Sequence, residues 1–260
     1  MFKFCNLYSG SSGNCSFIET DKTKILVDCG VSFKKIKEGL ESINQDIHDI
    51  DAVLITHEHS DHIKGLGVLS KNIDVPIYAN KKTLDEIEKK YFISSTKPFV
   101  TNELFEINDL KVLPFSIPHD AADPVGFTIN HKNKKISLAT DIGHVENKLY
   151  KNLIESSFVL LESNYEPDML KSSSYPYSLK HRILGPEGHL SNEDASNVIK
   201  TLVNNGLNNI MLGHLSKENN FPELAYQTTV NELIECNVDI DKLQLSVADR
   251  EKINNIIDIK

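Results

Sequence analysis

In the stretch Thr56-His57-Glu58-His59-Ser60-Asp61-His62, three imidazoles and the Asp61 carboxylate crowd into six residues directly behind the apolar run 51–55. Neutral imidazole suits borderline ions such as zinc and manganese and carboxylate suits harder ones. A mixture with open positions belongs to catalytic rather than structural sites. In an extended segment His57 and His59 fall on the same side, so both can converge on one ion. Asp61 and His62 lie in the turn that follows and face a second. A dinuclear site is the reading that uses all four.

Further candidates lie elsewhere in the chain, several of them just after an apolar run. His119 in Ile117-Pro118-His119-Asp120 supplies a third histidine for one ion, and Asp141 in Ala139-Thr140-Asp141-Ile142-Gly143 a carboxylate able to bridge two. His214 in Gly213-His214-Leu215-Ser216 adds a terminal ligand, whereas His144 is given a non-ligand role. Asp28, in Leu26-Val27-Asp28-Cys29-Gly30, either orients a metal-binding histidine from behind or caps the next helix. Glu162 ends the run 158–162, and His189 precedes a helix, near donors suited to an anion. The loop Tyr8-Ser9-Gly10-Ser11-Ser12-Gly13-Asn14 fits a phosphate cradle and a plain hairpin turn equally well. Lys171 to Arg182, locally basic with two tyrosines, fits either a nucleic-acid contact or a solvent-exposed loop.

The elements that must position these residues follow from periodicity. Strands are predicted over 2–7, 16–19 and 24–28 as an antiparallel start, then at 51–56, 75–79, 110–115, 125–129, 135–139, 158–162, 209–213 and 243–247. Helices are predicted over 33–44, from a Ser60 cap to about Leu69, over 81–91, from a Ser191 cap through Leu202, and over 222–236. The tail 249–260 carries no clear signal. Strand and helix alternate in both halves without an internal repeat, which suggests two similar layers.

With 260 residues and 40% hydrophobic content, the chain has the size and composition of a soluble globular protein. No run approaches the ~18 apolar residues of a membrane helix, and the start shows no basic segment followed by an apolar one, so a cytoplasmic protein without membrane contact is expected. Cys5, Cys15, Cys29 and Cys236 are scattered, with no Cys-x-x-Cys spacing, and read as reduced buried thiols rather than disulfides or ligands. A formal charge of −9 argues against a generic polyanion-binding surface, although carboxylates gathered around metals carry part of it.

His57-x-His59-x-Asp61-His62, with Asp28 before it and His119, Asp141 and His214 after it, resembles the metallo-β-lactamase superfamily across essentially the whole chain. That resemblance implies a single α/β (α+β) domain over 1–260, a four-layer αββα sandwich of two mixed β-sheets with helices on the outer faces, with 165–185 as a short insertion near the active site. It also implies two divalent ions, zinc, manganese or iron. His57, His59 and His119 would hold one, Asp61, His62 and His214 the other, with Asp141 bridging and Asp28 and Glu162 supporting the ligands. Ser9 to Cys15, Gly185 to Glu193 and His214 to Asn220 resemble the YycJ/WalJ-like group, associated with 5′ to 3′ DNA exonuclease activity. Glu162 and His189 resemble elements of the β-CASP nucleases, which carry a large extra domain where this chain has some twenty residues between Tyr165 and Gly185.

The expectation is a metal-dependent phosphodiesterase acting on nucleic acid, DNA first, with no obligate protein partner. Asp61 would accept the proton of the attacking water, His189 would bond a phosphate oxygen or protonate the leaving oxygen, and Ser11, Ser12, Asn14, His189 and Ser216 would contact substrate. The alternatives on the same residues are a hydrolase of a small ester, thioester or lactone, and a metal-binding regulator without catalysis.

Overall fold

Strands covered on both faces lose the apolar–polar alternation, and here every residue of the strands Cys15–Thr20, Ala52–Leu54 and Phe158–Glu162 is buried. The computed structural model describes residues 1–259. The fold is α+β, with two mixed β-sheets and helices flanking them. By internal contacts the chain divides into two compact units: Met1–Ser116, Ala121–Lys134 and the tail from Asp249 form the first, Ile117–Asp120 and Lys135–Ala248 the second.

In the first unit β1 (Phe2–Tyr8), β2 (Cys15–Thr20) and β3 (Lys24–Val27) run antiparallel. Helix α1 (Phe33–Ser42) then buries Ile36 and Leu40 and starts at Ser32, whose side chain accepts from Lys35 N. β4 (Ala52–Leu54) pairs parallel with β3 in the register Val27↔Leu54. The residues just beyond those two strands are Asp28 and the histidine motif, so the register itself brings the two together. Helices α2 (Ser60–Ile63) and α3 (Leu66–Asn72) follow, then β5 (Ile77–Asn80), α4 (Lys81–Glu88) and β6 (Thr96–Phe99), with Asn80 Oδ1 capping α4 through Thr83 N at 3.0 Å. β7 (Phe105–Ile107), β8 (Leu110–Ser116) and β9 (Val125–His131) form an antiparallel ribbon.

In the second unit β10 (Lys134–Ala139), α5 (Asn147–Leu153), β11 (Phe158–Glu162), α6 (Pro167–Ser172), α7 (Tyr177–Ile183), α8 (Asn192–Asn204), β12 (Asn209–Gly213), α9 (Pro222–Glu235) and β13 (Gln244–Val247) follow in order. The four strands pair parallel, with Ala139↔Leu161 and Glu162↔Gly213 in register. Their carboxyl ends therefore lie side by side, where open parallel sheets present ligand-binding residues. Ser191 caps α8 as expected, its Oγ accepting from Asp194 N at 3.0 Å.

Three expectations are corrected. The helix expected from a Ser60 cap to Leu69 is two short helices. Ser60 is the first helical residue and His59 stands at the N-cap, and the break falls at Gly65, where a Cβ would lie 2.2 Å from Val31 O. The segment Lys171 to Arg182 is largely exposed but is not a loop throughout: it runs through α6 and α7, with Tyr175 and Leu179 packed on Tyr165, Leu170 and Ile183. The silent tail supplies a final strand, Ile257–Asp258, which pairs antiparallel with β1, and Asn254 Oδ1 accepts from Asn6 Nδ2.

One polar cluster pins the first unit's turns. Asp109, between β7 and β8, accepts from Thr20 Oγ1 at 2.9 Å and Thr23 Oγ1 at 2.5 Å, with His131 Nδ1 3.4 Å away. Partial burial pushes this carboxyl up, but the threonine hydroxyls, its own backbone amide and His131 outweigh it and hold the pKa below the usual value. A depressed pKa contributes stability that is present above the unfolded value of about 3.9 and is lost as pH falls through the folded one. Asp109→Ala should therefore cost about 1–2 kcal/mol in urea unfolding at neutral pH. The gap to the parent protein should shrink in acid below that range.

Candidate metal centre

Asp28, Thr56 and the histidine motif form one hydrogen-bonded group in the first unit. Asp28 Oδ2 lies 2.8 Å from His62 Nδ1, and both Asp28 oxygens meet Thr56 through its amide and hydroxyl at 2.9–3.1 Å. The His57 ring stands edge-on to His59 at 4.6 Å and 4.0 Å from His62. Of the two roles left open for Asp28, orienting a histidine is the one the geometry matches, since Ser32 caps α1. An ionised carboxylate only accepts, so His62 Nδ1 carries the proton and Nε2 a lone pair.

Backbone bonds stitch three loops to this group. Asn14 N donates to Asp61 O, Gly30 N to Asn14 O, Cys29 N to His62 O and Gly65 N to Cys29 O, all at 2.8 Å. At Gly30 a Cβ would fall 1.6 Å from Asp61 O, so only glycine allows the approach. Asn14 Oδ1 accepts from Gly10 N, while its amide reaches Asp61 O and His62 Nε2 at 3.3 and 3.1 Å. The Ser/Gly loop is thus a fixed turn, with Ser11 and Ser12 exposed at its tip and Asn14 buried beneath.

The second unit gathers the rest. Glu162 is fully buried, with Oε1 2.8 Å from both His189 Nδ1 and His214 Nδ1, and Oε2 accepting from Ile142 N at 2.8 Å and Leu190 N at 3.0 Å. Burial pushes this carboxyl up, but the two histidines outweigh it and hold it well below the usual carboxylate range. Asp141 lies 3.5 Å from His214 and 3.7 Å from His119 and His189. Ligand atoms of Asp141, Glu162, His189 and His214 all lie within 4.8 Å of one another. His119 Nδ1 donates to Gly188 O at 3.0 Å, because a carbonyl can only accept.

These residues fit divalent metal. His62, His119, His189 and His214 each have Nδ1 held by a carboxylate or carbonyl, which sets the tautomer and orientation that metal-ligating histidines show. Asp28, Asp141 and His214 have φ of 63°, 61° and 55°, a left-handed conformation uncommon outside glycine and concentrated at functional sites. The thiols stand apart from this chemistry: Cys5, Cys15 and Cys29 are buried, and burial pushes Cys5 up to about 12 and the other two higher as well. Cys236 is only half-buried, contrary to the expectation of a buried thiol.

Several residues had no role assigned from sequence. Thr56 bridges Asp28 to the histidines, and Glu58 Oε1 accepts from Ala122 N at 2.8 Å. Asn164 donates to His214 O at 2.7 Å, and Arg182 forms a two-pronged pair with Asp120 beside His119. Ser216, expected from sequence to contact substrate, is instead buried, its Oγ accepting from Asn219 N, and Asn220 holds Ser163 O and Asn164 O. The segment 214–220 thus supports β11 and β12. His144 bonds Pro186 O and Glu146 on the surface.

The beta-lactamase superfamily domain profile matches residues 23–207. Over 244 residues the chain is 41% identical to exodeoxyribonuclease WalJ of Streptococcus pneumoniae serotype 2 (strain D39 / NCTC 7466), covering 92% of this chain and 91% of that one. It is 37% identical over 235 residues to exodeoxyribonuclease YycJ of Bacillus anthracis, covering 89% of each. The metallo-beta-lactamase fold protein YhfI of Bacillus subtilis superposes with a TM-score of 0.73 at 14% identity, over 97% of this chain and 98% of that one.

Proposed function

The chain belongs to the beta-lactamase superfamily, and on that premise we propose that it is a metal-dependent nuclease, a phosphodiesterase that removes nucleotides from DNA in the 5′ to 3′ direction. One observation carries this reading: histidines with their Nδ1 atoms held in the tautomer metals require, on a chain 41% identical to an exodeoxyribonuclease over nine tenths of both lengths. We assign His57, His59, Asp61 and His62 of the first unit and His119, Asp141 and His214 of the second as ligands of two divalent ions, zinc or manganese. Two such ions supply Lewis-acid polarisation of a phosphoryl oxygen and a water acidic enough to attack phosphorus at neutral pH.

The protein's own groups do the rest. Asp61, less buried than His62, orients the attacking water and takes its proton. Glu162 fixes the His189 ring through Nδ1, and Nε2 of that ring, when protonated, donates to a phosphoryl or leaving oxygen. Asp28 and Glu162 hold the histidines in register, and Ser11 and Ser12, at the exposed turn, contact the strand. The cysteines are free, which supports a reducing cytoplasmic setting.

End-labelled single- and double-stranded DNA and RNA, incubated with zinc or manganese, test the assignment. Mononucleotides released in order from the 5′ end of DNA are expected, and chelation should stop the reaction. Turnover of esters or lactones with no phosphodiester cleavage would reassign the centre.

A further inference from the structure

A surface cavity of about 260 Å³ in the first unit is lined by Lys64, Gly67, Val68, Lys71, Lys90, Tyr91 and Phe92. In a chain of net charge −9, three ammonium groups and no carboxylate line it. Lys90 Nζ is held by a carbonyl, Glu58 O at 3.1 Å, so its charge is not neutralised there. Two aromatic rings share the space. Tyr91 packs against the core and so close to Gly67 that a Cβ would lie 2.6 Å from its ring, whereas Phe92 is 77% exposed and Val68 52%. An exposed phenylalanine beside three lysines, in a cavity that no carboxylate lines, offers the chemistry that matches a ligand both anionic and flat-faced.

The cavity's place in the fold gives it meaning. Lys64 is the C-cap of α2, two residues past His62, and Glu58, whose carbonyl takes Lys90, stands between His57 and His59. At about 260 Å³ it is smaller than the ~300–1,000 Å³ of whole-ligand clefts, which suits one unit of a polymer.

We propose that this cavity binds a single-stranded stretch of the nucleic-acid substrate outside the scissile bond, with phosphates on Lys64, Lys71 and Lys90 and a base stacked on Phe92 and Tyr91. It rests on the nuclease reading and adds a second grip on the strand, so that a substrate several nucleotides long is held better than a dinucleotide.

The test measures binding apart from cleavage, using the metal-loaded full chain and a fluorescent, phosphorothioate-linked 15-nucleotide single strand that resists hydrolysis. Lys64→Ala with Lys71→Ala should weaken binding and flatten the dependence of log affinity on log salt by roughly 0.7 for each lysine removed. Phe92→Ala should weaken it about tenfold, at the low end of base–aromatic stacking, with its effect absent on a dinucleotide. Circular dichroism and melting identical to the parent protein establish that the folds are intact, and Lys90 is left in place because it braces the ligand loop. Unchanged affinity and salt slope in both variants would overturn the proposal. So would inorganic polyphosphate competing equally well while Phe92→Ala has no effect, since that marks a simple anion patch. If the parent protein degrades DNA yet the variants bind it normally, the cavity assignment falls and the nuclease reading stands. If the variants lose affinity for a strand the protein never cuts, the reverse holds.

Discussion

Asp61→Ala and His59→Ala should each abolish hydrolysis while leaving melting and circular dichroism close to the parent protein. Asp61 projects from the first turn of α2 and is more exposed than its neighbour His62, and His59 stands at the N-cap without a side-chain capping bond. Neither side chain is part of the hydrophobic core, so deleting it removes a ligand and, for Asp61, the group that takes the water's proton. General-base loss alone is worth roughly 10²–10⁴ in rate, and loss of an ion adds to it. Metal content by elemental analysis separates the causes: His59→Ala should carry less metal, and its residual rate should recover in part at high metal concentration. Undiminished hydrolysis by either variant with its metal verified absent would remove the catalytic assignment.

The residues proposed as ligands stand out in the sequence because metal chemistry uses few residue types and because they sit where apolar runs stop. His57 to His62, Asp141 and His214 follow strands whose apolar character is local and strong. The supporting cast was much less so. Thr56 and Asn164 are ordinary polar residues whose partners lie at distant positions, and only the parallel register of β3 with β4 and of β10, β11 and β12 tells which carboxylate faces which histidine. The Gly65 break depends on a carbonyl from another loop, Val31 O, and the final strand on pairing across more than 250 residues. Basic residues at 171–182 suggested a nucleic-acid contact, yet Arg182 is paired with Asp120 and Lys180 donates to Lys171 O and Ser173 O, so these two cations have partners within the protein. The cationic cavity instead unites Lys64, Lys71 and Lys90, too far apart in sequence to form a visible cluster.

Glu162→Gln should be nearly as damaging as loss of a ligand, although Glu162 is assigned to hold ligands and not to bind the ions itself. One oxygen accepts from two imidazole N–H groups and the other from two backbone N–H groups, those of Ile142 and Leu190. A glutamine has one accepting oxygen and one donating nitrogen, so whichever way it turns, a pair of donors faces its NH₂ group. If the pair is His189 and His214, the rings lose their tautomer. If it is the backbone pair, the chain just after Asp141 and His189 shifts. Buried donors left without an acceptor cost about 1–3 kcal/mol each, so a lower melting temperature is expected, and loss of a histidine's outer partner typically costs 10–100-fold in metal affinity. Stability alone does not identify the role, because any hole in a buried network lowers it. The decisive readouts are metal affinity by chelator competition and the ring nitrogen shifts of His189 and His214, which report where the proton sits. Native metal affinity and unchanged tautomers in a destabilised Glu162→Gln protein would reduce this carboxylate to a structural prop. Weakened metal binding with a redistributed Nδ1 proton would establish that it sets the second unit's ligands for the ion.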